Sequence, residues 1–124
     1  MKISAIIITK NEAHNLSACL ESVSFADEII VVDNSSTDET VQIAKKYGAI
    51  VTTTIDWPGF GIQKNRALSQ ATKKWVLSVD ADERITDELA KEIMQVIQHQ
   101  STLDCYLIPR LSWYCGKFMH YTAH

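Results

Sequence analysis

Residues 3–12 read ISAIIITKNE, a continuous apolar run rich in β-branched residues that ends in a polar segment. Residues 28–33 read EIIVVD and repeat that arrangement. Uninterrupted runs of this kind are typical of strands that helices cover on both faces, as in a parallel sheet. Three further strands are predicted over residues 50–54, 75–79 and 103–108.

Helical patterns separate these strands. Residues 12–23 carry apolar side chains at helical spacing. The capping-box sequence from Ser36 to Glu39 predicts a helix that has Ser36 as its N-cap and ends near Tyr47. Two more helices are predicted, over residues 61–72 and over residues 86–99 with Thr86 as N-cap. The alternation predicts an α/β fold, namely an open, mostly parallel, doubly wound sheet with helices on both faces.

Composition and charge narrow the functional class. The chain has 124 residues, of which 46% are hydrophobic and 22% charged, as in ordinary globular domains. Its net charge of −3 gives no support for sequence-independent binding to nucleic acid. No run reaches the roughly 18 apolar residues that a membrane-spanning helix needs. The three cysteines are an odd number, which argues against a disulfide framework and predicts a cytoplasmic protein.

Acidic residues follow three of the predicted strands, at Glu12, Asp33 and Asp80. Ligands of open α/β sheets bind beyond the carboxyl ends of the strands, so these side chains are expected at one edge. They would repel one another unless a cation or hydrogen-bond donors lay between them. Asp80 and Asp82 could together hold a hard divalent cation such as Mg²⁺ or Mn²⁺. Strand-to-helix turns are also rich in Asp for structural reasons, so both interpretations stay open.

Two other features have both a structural and a functional interpretation. Asp33 could bind local backbone amides in a turn, or accept a hydrogen bond from a base N–H or a ribose hydroxyl. Residues 56–66 place two glycines around Phe60, ahead of a helix with Lys64 and Arg66 near its start. Such a helix start could accept phosphate oxygens, and it could equally be a solvated surface.

Residues 3–12, 30–40, 57–68 and 75–83 together resemble family 2 glycosyltransferases with a GT-A fold. Within that family the sequence is most similar to bacterial lipopolysaccharide-core glucosyltransferases. Motifs in the correct order at consistent spacing are more specific than any single one. The resemblance implies inverting transfer of a sugar, glucose by analogy, from a UDP-sugar to a carbohydrate or glycolipid acceptor such as lipopolysaccharide core.

The resemblance also implies roles for individual residues. Thr9, Glu12 and Asp33 would line the uridine pocket. Arg66 and Lys64 would approach the nucleotide. The family's metal-binding Asp-x-Asp would be formed by Asp80 and Asp82, with Asp82 the direct ligand of Mg²⁺ or Mn²⁺. Many members carry an aromatic residue where this chain has Lys10.

The family pattern further implies how the chain is divided. Residues 1–109 would form the nucleotide-sugar-binding domain, and residues 110–124 would begin the acceptor-side region. The family's catalytic base lies in the second half of the GT-A domain, so we expect it beyond residue 124 and expect the chain to be truncated. A glycolipid acceptor would bring the protein to the inner face of the membrane.

Three other functional classes are alternatives to a glycosyltransferase. A nucleotidyltransferase would carry a glycine-rich basic loop after the first strand, where this chain has Lys10, Asn11 and Glu12. A receiver-type signalling domain needs an acidic pair after the first strand and an Asp that ends the third, whereas Glu12 stands alone and Asp56 lies in the following loop. A non-catalytic nucleotide-binding module would lack the base.

Overall fold

The computed structural model describes residues 3–99, 105–108, 112–115 and 119–120. Strands and helices alternate over most of this length. In chain order they are β1 (Ile3–Thr9), α1 (Ala13–Ser22), β2 (Glu28–Asp33), α2 (Thr40–Lys46), β3 (Ile50–Thr53), α3 (Phe60–Gln70), β4 (Trp75–Ser78), α4 (Asp87–His99), β5 (Cys105–Ile108), β6 (Ser112–Cys115) and β7 (Met119–His120).

The main sheet has five strands in the order β3-β2-β1-β4-β7, and each neighbouring pair is parallel. The chain moves outward from β1 to β3 and then returns to β4 on the opposite side of β1. The strand order therefore reverses between β1 and β4, which is where ligands of such sheets bind. The predicted α/β fold with an open parallel sheet is confirmed.

Apolar residues fill both faces of the sheet, as the continuous β-branched runs predicted. On one face Ala67 and Ala71, from α3 and its end, pack against Ile6, Ile30 and Val76. The other face packs against side chains from the remaining helices, including Leu16, Leu20, Ala44, Ile93 and Ile97. Burial of each large aliphatic side chain contributes about 1.5–3 kcal/mol to the stability of the fold, so the two layers stabilise the strands that carry the sheet edge.

One helix start was predicted correctly and one was not. Leu89 N–H donates to Thr86 Oγ1 at 3.1 Å, so Thr86 caps α4 as expected. The prediction that Ser36 caps α2 is wrong, because that helix begins at Thr40. Ser36 instead donates its N–H and its hydroxyl to the Asp33 carboxylate, at 2.8 and 2.6 Å. Ser36 therefore binds the buried Asp33 carboxylate and does not form the capping box with Glu39.

Residues 105–108 form a strand, as predicted, but the prediction that this strand joins the main sheet is wrong. β5 pairs antiparallel with β6 in a separate two-stranded sheet, and the register sets Cys105 opposite Cys115. Only residues 109–111 separate these strands, and so short a connection favours an antiparallel hairpin. The fifth place in the main sheet belongs to β7, from the segment after residue 110. The division at residues 109 and 110 stays a prediction.

Among the described residues, no helix combines the length and the apolar character needed to cross a membrane.

Candidate functional site

A cavity of about 370 Å³ lies at the carboxyl edge of the sheet. This volume is within the range of small-molecule sites, roughly 300–1,000 Å³. Aromatic and aliphatic side chains form one part of its wall, and polar side chains form the other. The lining residues are Ile8, Thr9, Lys10, Glu12, Asn34, Trp57 and Phe60. Of the residues predicted to bind a ligand, Thr9 and Glu12 therefore face this space directly.

Asp33 lies behind Thr9 and has no exposed surface. Its Oδ1 accepts hydrogen bonds from the hydroxyls of Thr9 and Ser36, both at 2.6 Å, and its Oδ2 accepts one from the Ser36 N–H. A buried carboxylate is tolerated only when such donors compensate its charge. Of the two interpretations of Asp33, the structure displays the local one, in which the side chain organises a turn.

The loops that follow β1 and β2 are joined by hydrogen bonds. Lys10 Nζ donates to the Ser35 carbonyl at 3.1 Å, and Asn11 N–H donates to Ser36 Oγ at 2.7 Å. Asn11 and Ser35 adopt left-handed backbone angles, with φ of 53° and 50°. Such angles carry strain in non-glycine residues and occur often at ligand sites. The cavity rim is thus fixed by contacts between two loops.

Side chains of Asp38 and of Thr40, the first residue of α2, cap the start of α1. Thr40 Oγ1 accepts a hydrogen bond from Glu12 N–H at 2.9 Å, and Asp38 accepts one from Ala13 N–H at 3.2 Å. Hydrogen bonds from Thr40 lower the pKa of Asp38, and the backbone contact with Ala13 adds to this effect. The role of Asp38 is therefore structural, and it leaves the Glu12 side chain at the cavity wall.

Arg66 is engaged by neighbours of its own loop and helix. Its guanidinium donates to both carboxylate oxygens of Asp56, at 2.9 and 2.8 Å, and to Gln63 Oε1 at 3.0 Å. The hydrogen bonds with Arg66 lower the pKa of Asp56, and the same contact raises the pKa of Arg66. Asp56 lies beyond β3, so it is not the strand-ending Asp that a receiver domain needs.

Lys64 connects α3 to the turn after β4. Its Nζ lies 3.7 Å from Asp80 Oδ1, a distance that makes an ion pair between partly exposed groups. The turn itself closes through Glu83 N–H, which donates to the Asp80 carbonyl at 2.9 Å. Asp82 is exposed in the middle of this turn. Lys64 and Asp80 therefore lie together, with Asp82 two residues further along the turn, whereas Arg66 is held by Asp56.

Asp80, which is partly exposed, and Asp82, which is exposed, have the chemistry that suits a hard divalent cation. Carboxylate oxygens are the ligands that Mg²⁺ and Mn²⁺ prefer, and Mg²⁺ is usually held by one or two carboxylates plus phosphate and water. In residues 3–99 and the described strands, no group of three or more His, Cys, Asp or Glu side chains could hold a metal by itself. The acidic edge is instead compensated by donors at Asp33 and by Lys64 at Asp80. A cation here would need further ligands from substrate phosphates or from water.

Several residues of the site were not predicted as ligand-binding residues. Asn34 follows β2 directly and could have been identified by the same strand-end rule that selected Asp33. Trp57 and Phe60 give a weaker signal, since large aromatic residues in a loop with glycines are often exposed at binding sites. Gln63 is fully buried and donates to Thr54 Oγ1 at 2.9 Å, which no sequence pattern indicates.

The chain is similar to several known proteins. The model of the family described as "Glycosyl transferase family 2" matches residues 4–122. An uncharacterized glycosyltransferase of Rickettsia prowazekii is 44% identical over 118 residues, which are 93% of this chain and 40% of that protein. The lipopolysaccharide core biosynthesis glycosyltransferase LpsC of Rhizobium meliloti is 30% identical over 94% of this chain and 44% of its own length. The chain thus spans less than half of these relatives.

Solved structures give the same architecture. TarS of S. aureus, resolved over its residues 1–349, superposes with a TM-score of 0.75 and 34% identity, covering 87% of this chain and 35% of that one. Glucosyl-3-phosphoglycerate synthase of Mycobacterium tuberculosis, solved with Mn²⁺, UDP and glucosyl-3-phosphoglycerate, superposes with a TM-score of 0.67 at 23% identity over 86% of this chain and 43% of its own. At that identity the second likeness concerns the fold.

Proposed function

The chain belongs to glycosyl transferase family 2, and on this basis we propose that it binds the donor in an enzyme that transfers a sugar, with inversion, from a UDP-sugar to a carbohydrate hydroxyl. One observation carries the proposal. A cavity lined by Thr9 and Glu12 lies at the carboxyl edge of β1. The partly exposed Asp80 and the exposed Asp82 follow β4, the strand beside β1 in the sheet. This is the switch point at which α/β sheets bind nucleotides.

The uridine is proposed to occupy the cavity, with Thr9, Glu12 and Asp33 as its polar partners. Glu12 offers carboxylate oxygens at the wall, and one of them accepts a hydrogen bond from Asn15 at 3.3 Å. Because Asp33 is fully buried, a base N–H reaches its carboxylate only by displacing the hydroxyl of Thr9 or Ser36. Otherwise Asp33 acts by fixing the position of Thr9.

Lys64 and Arg66 are proposed to receive the diphosphate. Each guanidinium or ammonium group is paired with a carboxylate in this structure, Arg66 with Asp56 and Lys64 with Asp80. The Lys64–Asp80 pair, at 3.7 Å between partly exposed groups, contributes little to stability, so Lys64 can exchange Asp80 for phosphate oxygens at low cost. The planar guanidinium of Arg66 suits bidentate contact with phosphate.

Asp80 and Asp82 are proposed to hold Mg²⁺ or Mn²⁺, with Asp82 as the direct ligand. When bound, such an ion supplies Lewis-acid stabilisation of the charge that develops on the departing diphosphate. The Mn²⁺ and UDP in the structure of the M. tuberculosis synthase support this assignment by analogy of fold. Both residues belong to the turn after β4, which closes through the hydrogen bond from Glu83 N–H to the Asp80 carbonyl.

The acceptor is proposed to be a carbohydrate or glycolipid such as lipopolysaccharide core, with glucose as the transferred sugar. The name of the R. meliloti relative supports this assignment. A carboxylate base would take the proton of the acceptor hydroxyl as that oxygen attacks the anomeric carbon. We assign that base to none of the described residues. The proposed location is the cytoplasm, at the inner face of the membrane.

Saturation-transfer NMR with UDP-glucose, GDP-mannose and ATP tests the donor class directly. The proposal predicts transfer of magnetisation to the uridine protons of UDP-glucose and little to the purine nucleotides. Equal signals from all three would contradict a UDP-sugar site and favour a general nucleotide-binding module. A signal from ATP alone would favour the nucleotidyltransferase alternative.

A further inference from the structure

The wall of the cavity includes two aromatic side chains that the proposed function leaves unused. Trp57 and Phe60 pack edge to face, with ring centroids 5.0 Å apart and ring planes at 88°. Both residues are nevertheless exposed to solvent, Trp57 at 45% and Phe60 at 69%. Aromatic rings bury about 150–250 Å² each when they are covered, so this pair offers a large unused apolar area beside polar groups.

We propose that Trp57 and Phe60 form the stacking face for the pyrimidine base of the donor, an inference that rests on the proposed function. The opposite part of the cavity wall is polar and includes Thr9, Glu12 and Asn34. A planar heteroaromatic base matches such a cavity, because it presents an apolar face and hydrogen-bonding edges. Lys10, at the end of β1, cannot supply an aromatic face.

The placement of α3 supports a base rather than an acceptor sugar at this position. Phe60 is the first residue of α3, and Lys64 lies one turn later on the same side of the helix. Lys64 in turn meets Asp80 at 3.7 Å. A nucleotide with its base against Phe60 would therefore extend its diphosphate along one helical turn towards Lys64 and the acidic pair. An acceptor sugar at Phe60 would leave that path unfilled.

The loop that carries Trp57 is held in place from both sides. Asp56, its neighbour in the chain, makes the two-point ion pair with Arg66 of α3. Thr54, at the start of the loop, accepts a hydrogen bond from the buried Gln63. These contacts order the loop before a ligand binds, which lowers the entropic cost of stacking.

Binding measurements with uridine, UDP and inorganic pyrophosphate test the inference. Trp57→Ala and Phe60→Ala should each weaken the binding of uridine and of UDP by about tenfold, because each variant removes a ring on which the base stacks. Pyrophosphate should bind both variants as it binds the wild type. Trp57→Phe retains a ring and should restore most of the affinity. Ile55→Ala is the matched control, because Ile55 is 96% exposed in the same loop.

The outcomes separate this inference from the proposed function. If wild type binds UDP and both alanine variants bind it within about twofold of wild type, the stacking face is wrong while the donor site stands. If the affinity for pyrophosphate falls as much as the affinity for uridine, the substitutions disturb the loop and do not remove a contact with the base. That result also overturns the inference. If wild type binds neither uridine nor UDP, the proposed function itself fails. Melting curves confirm that each variant is folded.

Discussion

Thr9 Oγ1 donates a hydrogen bond of 2.6 Å to Asp33 Oδ1, and the two residues are register partners at the carboxyl ends of β1 and β2. Thr9 is 4% exposed and Asp33 is fully buried. The contact therefore joins the two central strands at the edge where the cavity opens. It explains how a carboxylate can be buried at the carboxyl ends of these strands, since hydroxyl and N–H donors contact it there.

Replacement of Asp33 should destabilise the fold measurably. In Asp33→Ala, the hydroxyls of Thr9 and Ser36 and the Ser36 N–H lose their common acceptor, at a cost of about 3 kcal/mol in the free energy of unfolding. Urea denaturation measures this quantity. Thr9→Ser keeps the hydroxyl and is the matched control. A loss below about 0.5 kcal/mol for Asp33→Ala would show that the network is not structural.

Glu28, at the start of β2, should make the stability of the fold depend on pH. Burial alone would raise the pKa of Glu28, but hydrogen bonds from Ser4 and Thr72 and the charge of Lys73 outweigh it and hold the pKa below its ordinary value of 4.5. A carboxyl with a depressed folded pKa stabilises the fold above the unfolded pKa, and that contribution is lost as the pH falls through the folded pKa.

The test compares Glu28→Gln with wild type by urea denaturation from pH 7 to pH 3. Wild type should be more stable at neutral pH, and the difference should shrink once the pH drops below about 4.5. Gln cannot titrate, so it isolates the contribution of Glu28. Glu92→Gln, at an exposed position of α4, controls for loss of a single negative charge. A constant difference between Glu28→Gln and wild type across this range would contradict the expectation.

Cys19 should be chemically silent in the folded protein. Burial raises the pKa of its thiol to about 12, an effect that the charge of Arg84 only partly offsets. Its Sγ lies 3.5 Å from the Asp80 carbonyl, directly under the acidic turn. The thiolate is the reactive form, so almost none is available at pH 8.

A chain with Cys105→Ser and Cys115→Ser leaves Cys19 as the sole thiol for a labelling experiment. Reaction with a disulfide reagent at pH 8 should be slow in the native state and rapid in urea. Moving the thiol by one residue, with Ala18→Cys and Cys19→Ser, gives an exposed control on the same helix that should react at once. Prompt labelling of native Cys19 would mean that the region under Asp80 opens readily.

The sequence predicts the layers of this fold better than it predicts their connections. Continuous apolar runs identify β1 and β2 because both faces of these strands are buried, and that requirement is visible in the composition of each run. The partner of β5 depends on which edge is free and how short the next connection is, and no local pattern contains that information. The start of α2 fails for a related reason, since the Asp33 carboxylate captures Ser36 across the turn.

The candidate site shows the same division. Strand-end positions identify Thr9, Glu12 and Asp80 because parallel strands end at one edge. The pairing of Arg66 with Asp56 depends on the path of a loop, and the exposure of Trp57 depends on what packs above it. No periodic pattern in the sequence indicates either the Arg66–Asp56 pairing or the exposure of Trp57. Tertiary contacts therefore decide which of the predicted cations is engaged by its own loop.

The central claim is that the edge formed by β1 and β4 binds a nucleoside diphosphate together with a divalent cation at Asp80 and Asp82. Calorimetric titration of UDP, with and without Mn²⁺, tests it on wild type, Asp82→Asn and the surface control Glu92→Gln. Mn²⁺ should strengthen UDP binding by about tenfold or more in wild type and in the control, and Asp82→Asn should abolish this gain. Equal UDP affinity in all three chains, unaffected by Mn²⁺, would contradict it.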